Sequence, residues 1–283
     1  MFSFIHIQNV GIVGCGQMGQ GIAQVFALSG FRVFLVDASE DALQKGMVNI
    51  TNSTHKLHKK GIVSDINCLE NISVSTNLDC LLNSQLIIEA VPENLDIKKS
   101  LFKDIESKMD GKEYILATNT SSFSISKMQS FLKEPNRFLG IHFMNPPILM
   151  PLIELILGDK SDERLLDIIK PVIESLKKQF IISKDSPGFV LNRVLISMIN
   201  EACLLVDEDV SLKEDIDKAL KLGANFPMGP LELADYIGLD TVLAIMEELQ
   251  KGLKNRFKIA LSLKENVKSG KLGRKSGEGF FKY

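Results

Sequence analysis

The run GIVGCGQMGQGIAQVFALSGFRVFLVD, from Gly11 to Asp37, constrains the fold more than any other part of this 283-residue chain. It follows a β-branched apolar stretch that begins near Phe4, passes three closely spaced glycines, continues at helical period, and closes on a second apolar run ending in an acid. Strand, tight turn, helix, strand is the predicted order. Gly14, Gly16 and Gly19 make G-x-G-x-x-G: the first allows a tight turn, the second lets a pyrophosphate approach the backbone, and the third lets the helix pack closely on the strand. Gln17 and Met18 stand in the first helical turn, whose N–H groups and positive dipole end suit phosphates. Asp37 comes 18 residues after Gly19, where a carboxylate binds both ribose hydroxyls of an adenosine and repels a 2′-phosphate. NAD is therefore the expected cofactor, with Arg32 and nearby lysines leaving some tolerance for NADP. Glycines that serve packing alone are the competing reading.

Composition narrows the class. The chain is long enough for one large or two ordinary domains, and its net charge of −2 argues against a nucleic-acid partner. No apolar run approaches the roughly 18 residues that span a bilayer, and the N-terminus lacks the form of a signal peptide, so a soluble, cytoplasmic protein is expected. Cys15, Cys68, Cys80 and Cys203 show no metal-ligand spacing, which predicts reduced thiols and no metal site.

Beyond Asp37 the pattern predicts a long amphipathic helix capped by Ser39 and closed near Gly61. Its end gathers Lys56, His58, Lys59 and Lys60, either a solvated face or a docking patch for the phosphates of a coenzyme A ester. ISVST (72–76) and QLIIEAV (85–91) read as buried parallel strands, with a helix from about Leu95 to Met109. Glu89 and Glu93 then lie near the dinucleotide crevice, with Lys98 further along that helix; a helix-start acid and a surface lysine are the alternative for Glu93 and Lys98. YILATNTSSFSI opens from a strand into Asn119, Thr120, Ser121 and Ser122, which either cap the next helix or hold a substrate carbonyl.

FLGIHFMNPPILMPLIELIL (138–157) places His142 and Glu154 in an otherwise apolar run. An unpaired buried polar group costs about 1 to 3 kcal/mol, so the two are expected to pair. The carboxylate then fixes the imidazole tautomer and leaves the other ring nitrogen for proton exchange, a general acid/base device. Pro146 and Pro147 predict strand, turn and returning strand. A core histidine bonded to backbone is the alternative. A helix from about Ser161 to Lys177 and an edge strand, QFIISKD, follow. SPGFVLNRVLISMINEACLLVDED then reads as a long helix capped by Ser186, with Pro187 at its first position and Asn192 about one turn in. Past Asp209 the patterns are helical only, and their exposed-looking apolar positions suggest a dimer surface.

Taken together, VGIVGCGQMGQGIAQ, EAVPENLDIKK, TNTSSFSI, GIHFMNPPILMPLIEL, DSPGFVLNR, PMGPLELADYIGLDT and GRKSGEGFF resemble the short-chain 3-hydroxyacyl-CoA dehydrogenase family from Val10 to Tyr283. The resemblance implies an NAD-dependent enzyme acting on coenzyme A thioesters, with the 3-hydroxybutyryl ester as the expected substrate. It implies His142 as acid/base, Glu154 as its partner, Ser121 and Asn192 as substrate-orienting groups, and Asp37 on the adenosine ribose. Glu93, Lys98, Asn119 and Asn145 fall on the cofactor side. Met144, Pro151 and Phe226 depart from the family's usual phenylalanine, lysine and histidine, and bear on acyl-chain preference and pocket shape. A dehydrogenase of a small hydroxy acid and a non-catalytic dinucleotide-binding protein are the rival readings. The expected fold is α/β: a Rossmann-type, doubly wound, mostly parallel sheet over 1–185, then an all-helical substrate-binding and dimerisation domain over 186–283.

Overall fold

The computed structural model describes residues 6–63 and 66–283. The chain forms two compact units, Met1–Asp185 and Ser186–Tyr283.

In the first unit, β1 (Asn9–Val13), α1 (Gln17–Leu28), β2 (Arg32–Val36), α2 (Glu40–Lys59) and β3 (Ile72–Ser75) are followed by β4 (Leu86–Glu89), α3 (Leu95–Lys108) and β5 (Ile115–Thr118). Then come α4 (Ile125–Gln129), β6 (Phe138–Phe143), β7 (Leu152–Leu157), α5 (Leu165–Ser175) and β8 (Gln179–Lys184). The strands form one sheet in the order β3-β2-β1-β4-β5-β6-β7-β8. Every pair is parallel except β6–β7, so β7 and β8 run against the other six. The order reverses at β1, which lies between β2 and β4, and such a switch point opens a crevice beyond the strands' C-terminal ends. The near-continuous apolar strands β1, β4, β5 and β6 are buried on both faces, as a sheet covered by helices requires.

Local chemistry explains the elements. Ser39 accepts the Ala42 N–H and starts α2; Asn94 accepts from Asp96 and Ile97 N–H and starts α3. Lys178 donates to the carbonyls of Pro147 and Met150 at 2.7 and 2.8 Å, pinning the turn between β6 and β7. Two boundaries and one strand's burial differ from expectation. β1 begins at Asn9 rather than Phe4, and residues 1–5 lie outside the described part. β3 is an edge strand with Val74 exposed, not a buried one. α5 begins at Leu165 rather than Ser161, because the Ser161 hydroxyl closes the preceding turn by donating to Phe138 O and accepting from Gly158 N.

The second unit is helical: α6 (Leu191–Asp207), α7 (Lys213–Gly223), α8 (Pro230–Ile237), α9 (Leu239–Leu253) and α10 (Leu261–Lys268). Ile196, Ile199, Cys203, Leu231, Val242, Met246 and Leu263 form its core. Asp235 of α8 accepts the N–H groups of Phe280 and Phe281, which fastens the C-terminal segment to that helix. The expected cap at Ser186 is not formed. Gly188 and Phe189 take φ of 71° and 48°, a left-handed step that no helix continues through, so α6 starts at Leu191. The Ser186 hydroxyl accepts instead from the Arg193 guanidinium at 3.0 Å. Among the described residues no helix is long and apolar enough to cross a membrane.

Candidate active site

The glycine-rich turn divides its labour among three positions. Gly14 has φ of 107° and a Cβ there would press on the Ala90 carbonyl, so only glycine suits it. A Cβ on Gly19 would overlap the Gly14 carbonyl oxygen, so the third glycine is what lets α1 sit down on the turn. Gly16 differs: a Cβ there would meet nothing within 4 Å. Its bareness serves no contact inside the protein, which fits a pyrophosphate laid against the backbone at the N-terminus of α1 beside Gln17 and Met18.

Asp37 follows β2. Its Oδ2 accepts the Cys15 N–H at 2.8 Å and its Oδ1 accepts the Ser39 N–H at 2.9 Å, so the carboxylate is fixed at the rim of the turn. Burial, with the charge of Asp37 adding to it, pushes the neighbouring Cys15 thiol up to about 11. All four cysteines are free thiols.

Across the switch point, β4 ends in Glu89, which is fully buried. Its Oε1 accepts from Lys98 Nζ at 2.6 Å and from Val91 N at 2.8 Å, and its Oε2 from the Thr118 hydroxyl at 2.7 Å. Burial pushes this carboxyl up, against the pull of Lys98, Thr118 and the Val91 amide. Lys98 Nζ also reaches Glu93 Oε2 at 3.3 Å. Glu93 in turn accepts the Thr120 hydroxyl at 2.8 Å and the Ser121 N–H at 2.9 Å. Lys98 is only 1% exposed, which overturns the surface-lysine alternative. One network thus joins the ends of β4 and β5 to the start of α3.

His142 and Glu154 stand opposite each other in the β6–β7 register, 6% and 0% exposed. With Glu154 ionised, His142 Nδ1 donates to its Oε2 at 2.8 Å. Asn119 is buried, and its Oδ1 accepts the Phe143 N–H at 2.8 Å, tying the end of β5 to the residue after the histidine. Asn145 accepts from Gln17 Nε2 at 3.2 Å, which joins the β6–β7 turn to the head of α1. Ser121 lies in the loop after β5, its hydroxyl 3.3 Å from that of Ser122.

In the first unit, separate bonds join His142 to Glu154, Asn119 to Phe143 and Asn145 to Gln17, while Glu93, Lys98 and Ser121 share one chain of contacts. Lys59 and Lys60 are exposed at the end of α2. Asn192 belongs to the second unit, half-buried in the first turn of α6 rather than a turn further on. Sequence reading passed over Thr118 and the part Glu89 plays, and it read Thr120 as a cap or a substrate ligand rather than as the partner of Glu93. An acid closing the apolar run LII was the available signal for Glu89, of the same kind that marked His142.

A sheet with this switch point, this phosphate-binding turn and this acid after its second strand defines a dinucleotide-binding protein. Residues 9–186 match the model of the 3-hydroxyacyl-CoA dehydrogenase NAD binding domain, and residues 188–283 match that of the 3-hydroxyacyl-CoA dehydrogenase C-terminal domain. The chain is 45% identical over 276 residues to a probable 3-hydroxybutyryl-CoA dehydrogenase of Deinococcus radiodurans, covering 96% of this chain and 99% of that one. It is 43% identical to a 3-hydroxybutyryl-CoA dehydrogenase of Bradyrhizobium diazoefficiens, covering 98% and 96%. Its structure matches the crystal structure of an (S)-3-hydroxybutyryl-CoA dehydrogenase from Ralstonia eutropha with a TM-score of 0.94 at 42% identity, covering 98% and 99%. The chain belongs to the 3-hydroxyacyl-CoA dehydrogenase family and is an NAD-dependent oxidoreductase.

Proposed function

We propose that this enzyme interconverts 3-hydroxybutyryl-CoA and acetoacetyl-CoA, with His142 as the acid/base. The buried His142–Glu154 pair carries the reading, and the names of the similar proteins support the substrate. NAD, when bound, supplies the hydride acceptor at its nicotinamide, and NADH the donor. Gly14, Gly16 and Gly19, with Gln17 and Met18, hold the pyrophosphate; Asp37 holds the adenosine ribose. Glu93, Lys98, Asn119 and Asn145 orient the nicotinamide side.

With Nδ1 committed to Glu154, His142 exchanges a proton with the 3-oxygen through Nε2, taking it during oxidation and returning it during reduction. Glu154 keeps the tautomer and stabilises the imidazolium. Ser121 and Asn192 donate to the 3-oxygen and the thioester carbonyl. Proton transfer of this kind contributes about a hundred- to ten-thousand-fold, and alignment of the reacting atoms supplies much of the rest. Lys59 and Lys60 meet the phosphates of coenzyme A; replacing both by alanine raises the KM for the thioester and leaves that for NADH unchanged. The protein is a cytoplasmic homodimer formed through its helical unit, a reading supported by Val194, Leu222 and Tyr236, large apolar side chains exposed there.

The test is the loss of reduced-nicotinamide absorbance on adding acetoacetyl-CoA, with NADH and NADPH side by side. Rapid loss with NADH is expected. No loss from protein that binds NADH would overturn the assigned substrate.

A further inference from the structure

We propose that Glu89 is a positioning residue of the cofactor site, fixing the charge and aim of Lys98 and, through Lys98, holding Glu93 ready for the cofactor. This rests on the reading of Glu93 and Lys98 as nicotinamide-side ligands.

Lys98 Nζ lies between two carboxylates that are not equivalent. Glu89 is sealed from solvent and contacts Nζ at 2.6 Å, whereas Glu93 contacts it at 3.3 Å and its side chain is 37% exposed. A buried ammonium needs a counter-charge in the same dry environment, and the nearer, drier carboxylate supplies it. Glu89 is itself held on all sides by donors: Lys98, the Val91 N–H and the Thr118 hydroxyl. Sealed from solvent, it is out of a ligand's reach and acts only through its neighbours. Glu93 is the outward partner, and its two oxygens are set by the Thr120 hydroxyl, the Ser121 N–H and Lys98. The lysine thus carries the position of the dry acid to the wet one. A merely structural Glu89 would act instead by tying β4 to β5 through Thr118, its partner in the register.

Glu89→Gln isolates the charge. A glutamine can still accept from Lys98 and Val91 and can donate to Thr118, whose hydroxyl turns to accept. NADH dissociation constants, read by fluorescence without any acyl substrate, are compared for wild type, E89Q, K98M, E89Q/K98M and T118V. E89Q and K98M should each weaken NADH by about tenfold or more, and the double variant should be no more than about threefold worse than K98M. T118V should stay within about threefold of wild type, because it cuts the tie to β5 and the bond from the Thr120 N–H but leaves the line from Glu89 through Lys98 to Glu93 intact.

The affinity of E89Q should also gain a pH dependence. The charged groups facing Lys98 are Glu89 from β4 and Glu93 from the turn before α3; Thr118, Thr120 and the Val91 amide around them are neutral. Without the Glu89 charge the buried ammonium lacks its nearer counter-charge, so NADH binding by E89Q should fall with rising pH more steeply than that of wild type.

NADH binding by E89Q within about threefold of wild type, or losses in E89Q and K98M that multiply in the double variant, overturns the proposal while leaving Lys98 a cofactor ligand. T118V as weak as E89Q overturns it in favour of the structural tie. Normal binding by K98M overturns the reading of Lys98 and this proposal with it. Should E89Q fail to fold, the double variant has no unpaired buried charge, and a further tenfold loss there relative to K98M, by about that factor, overturns the proposal equally.

Discussion

His142 and Glu154 are direct partners in the antiparallel register of β6 and β7, so their side chains leave the sheet on one face and meet at 2.8 Å although 12 residues separate them in sequence. Register matters here because a slip of one residue would turn Glu154 to the opposite face and leave both groups buried without each other.

Replacing His142 by alanine should lower kcat by about a hundredfold or more while NADH affinity stays near that of wild type. Steady-state rates with acetoacetyl-CoA and a fluorescence titration of NADH separate the two effects. Lost NADH affinity would assign the histidine to structure. Glu154→Gln removes the charge that stabilises the imidazolium, so the pKa governing oxidation should move to lower pH and the rate should fall. An unmoved pH profile removes Glu154 from proton transfer.

Asp37 accepts two backbone N–H groups, from Cys15 and Ser39, so its substitution reaches beyond the ribose. Asp37→Ser should raise the ratio of NADPH to NADH kcat/KM by about tenfold or more, because the repulsion of a 2′-phosphate is gone. It should also lower the melting temperature of the protein alone, since an acceptor for two N–H groups is shortened. A ratio that stays put would shift discrimination to Arg32 and its neighbours.

The Cys15 thiol, raised from 9.0 to about 11 by burial and by Asp37, should resist alkylation. At pH 8 it therefore holds about a hundredfold less thiolate than an ordinary cysteine. The raised value favours the folded state fully below about pH 9, and that contribution is lost as pH climbs through about 11. Mass-mapped iodoacetamide labelling at pH 8 should therefore modify Cys68 well before Cys15, with Cys80, whose thiol burial also pushes up, behind Cys68. Early labelling of Cys15 would contradict its burial.

Lys177 holds φ of 56° just after α5, exposed to solvent. Left-handed backbone costs a residue with a Cβ about 1 to 2 kcal/mol, and glycine adopts it freely but gains entropy in the unfolded chain. Lys177→Gly should therefore stabilise the protein by about 0.5 to 1 kcal/mol in chemical denaturation. A loss of stability would mean that the lysine side chain contributes contacts worth more than the strain.

Much of the site was readable because its residues break local rules. A histidine and a glutamate in an apolar run, and three glycines between a strand and a helix, are costly or weakening unless something answers them, so type and spacing alone disclosed Gly14, Gly16, Gly19, His142 and Glu154. Partners brought from distant segments were not readable. Nothing near Lys98 in sequence shows that Glu89 and Thr118 converge on one buried point, because that depends on β4 and β5 lying side by side. The starts of α2 and α3 were legible, whereas those of α5 and α6 were not, for a related reason. Ser186 followed by Pro187 is a sound local signal, but the left-handed pair at Gly188 and Phe189 and the pull of Arg193 on the serine hydroxyl redirect the chain.

The three fingerprint glycines are unlike constraints that happen to share a motif. Two are demanded by the protein's own backbone, so alanine at Gly14 or Gly19 should damage the empty protein and appear in a thermal melt. At Gly16 a methyl group meets no protein atom, so the unliganded G16A variant should melt like wild type and reveal its fault only when a dinucleotide is offered. Within one motif, then, two glycines answer to the chain's own folding, while the third has no such duty in the protein's own packing.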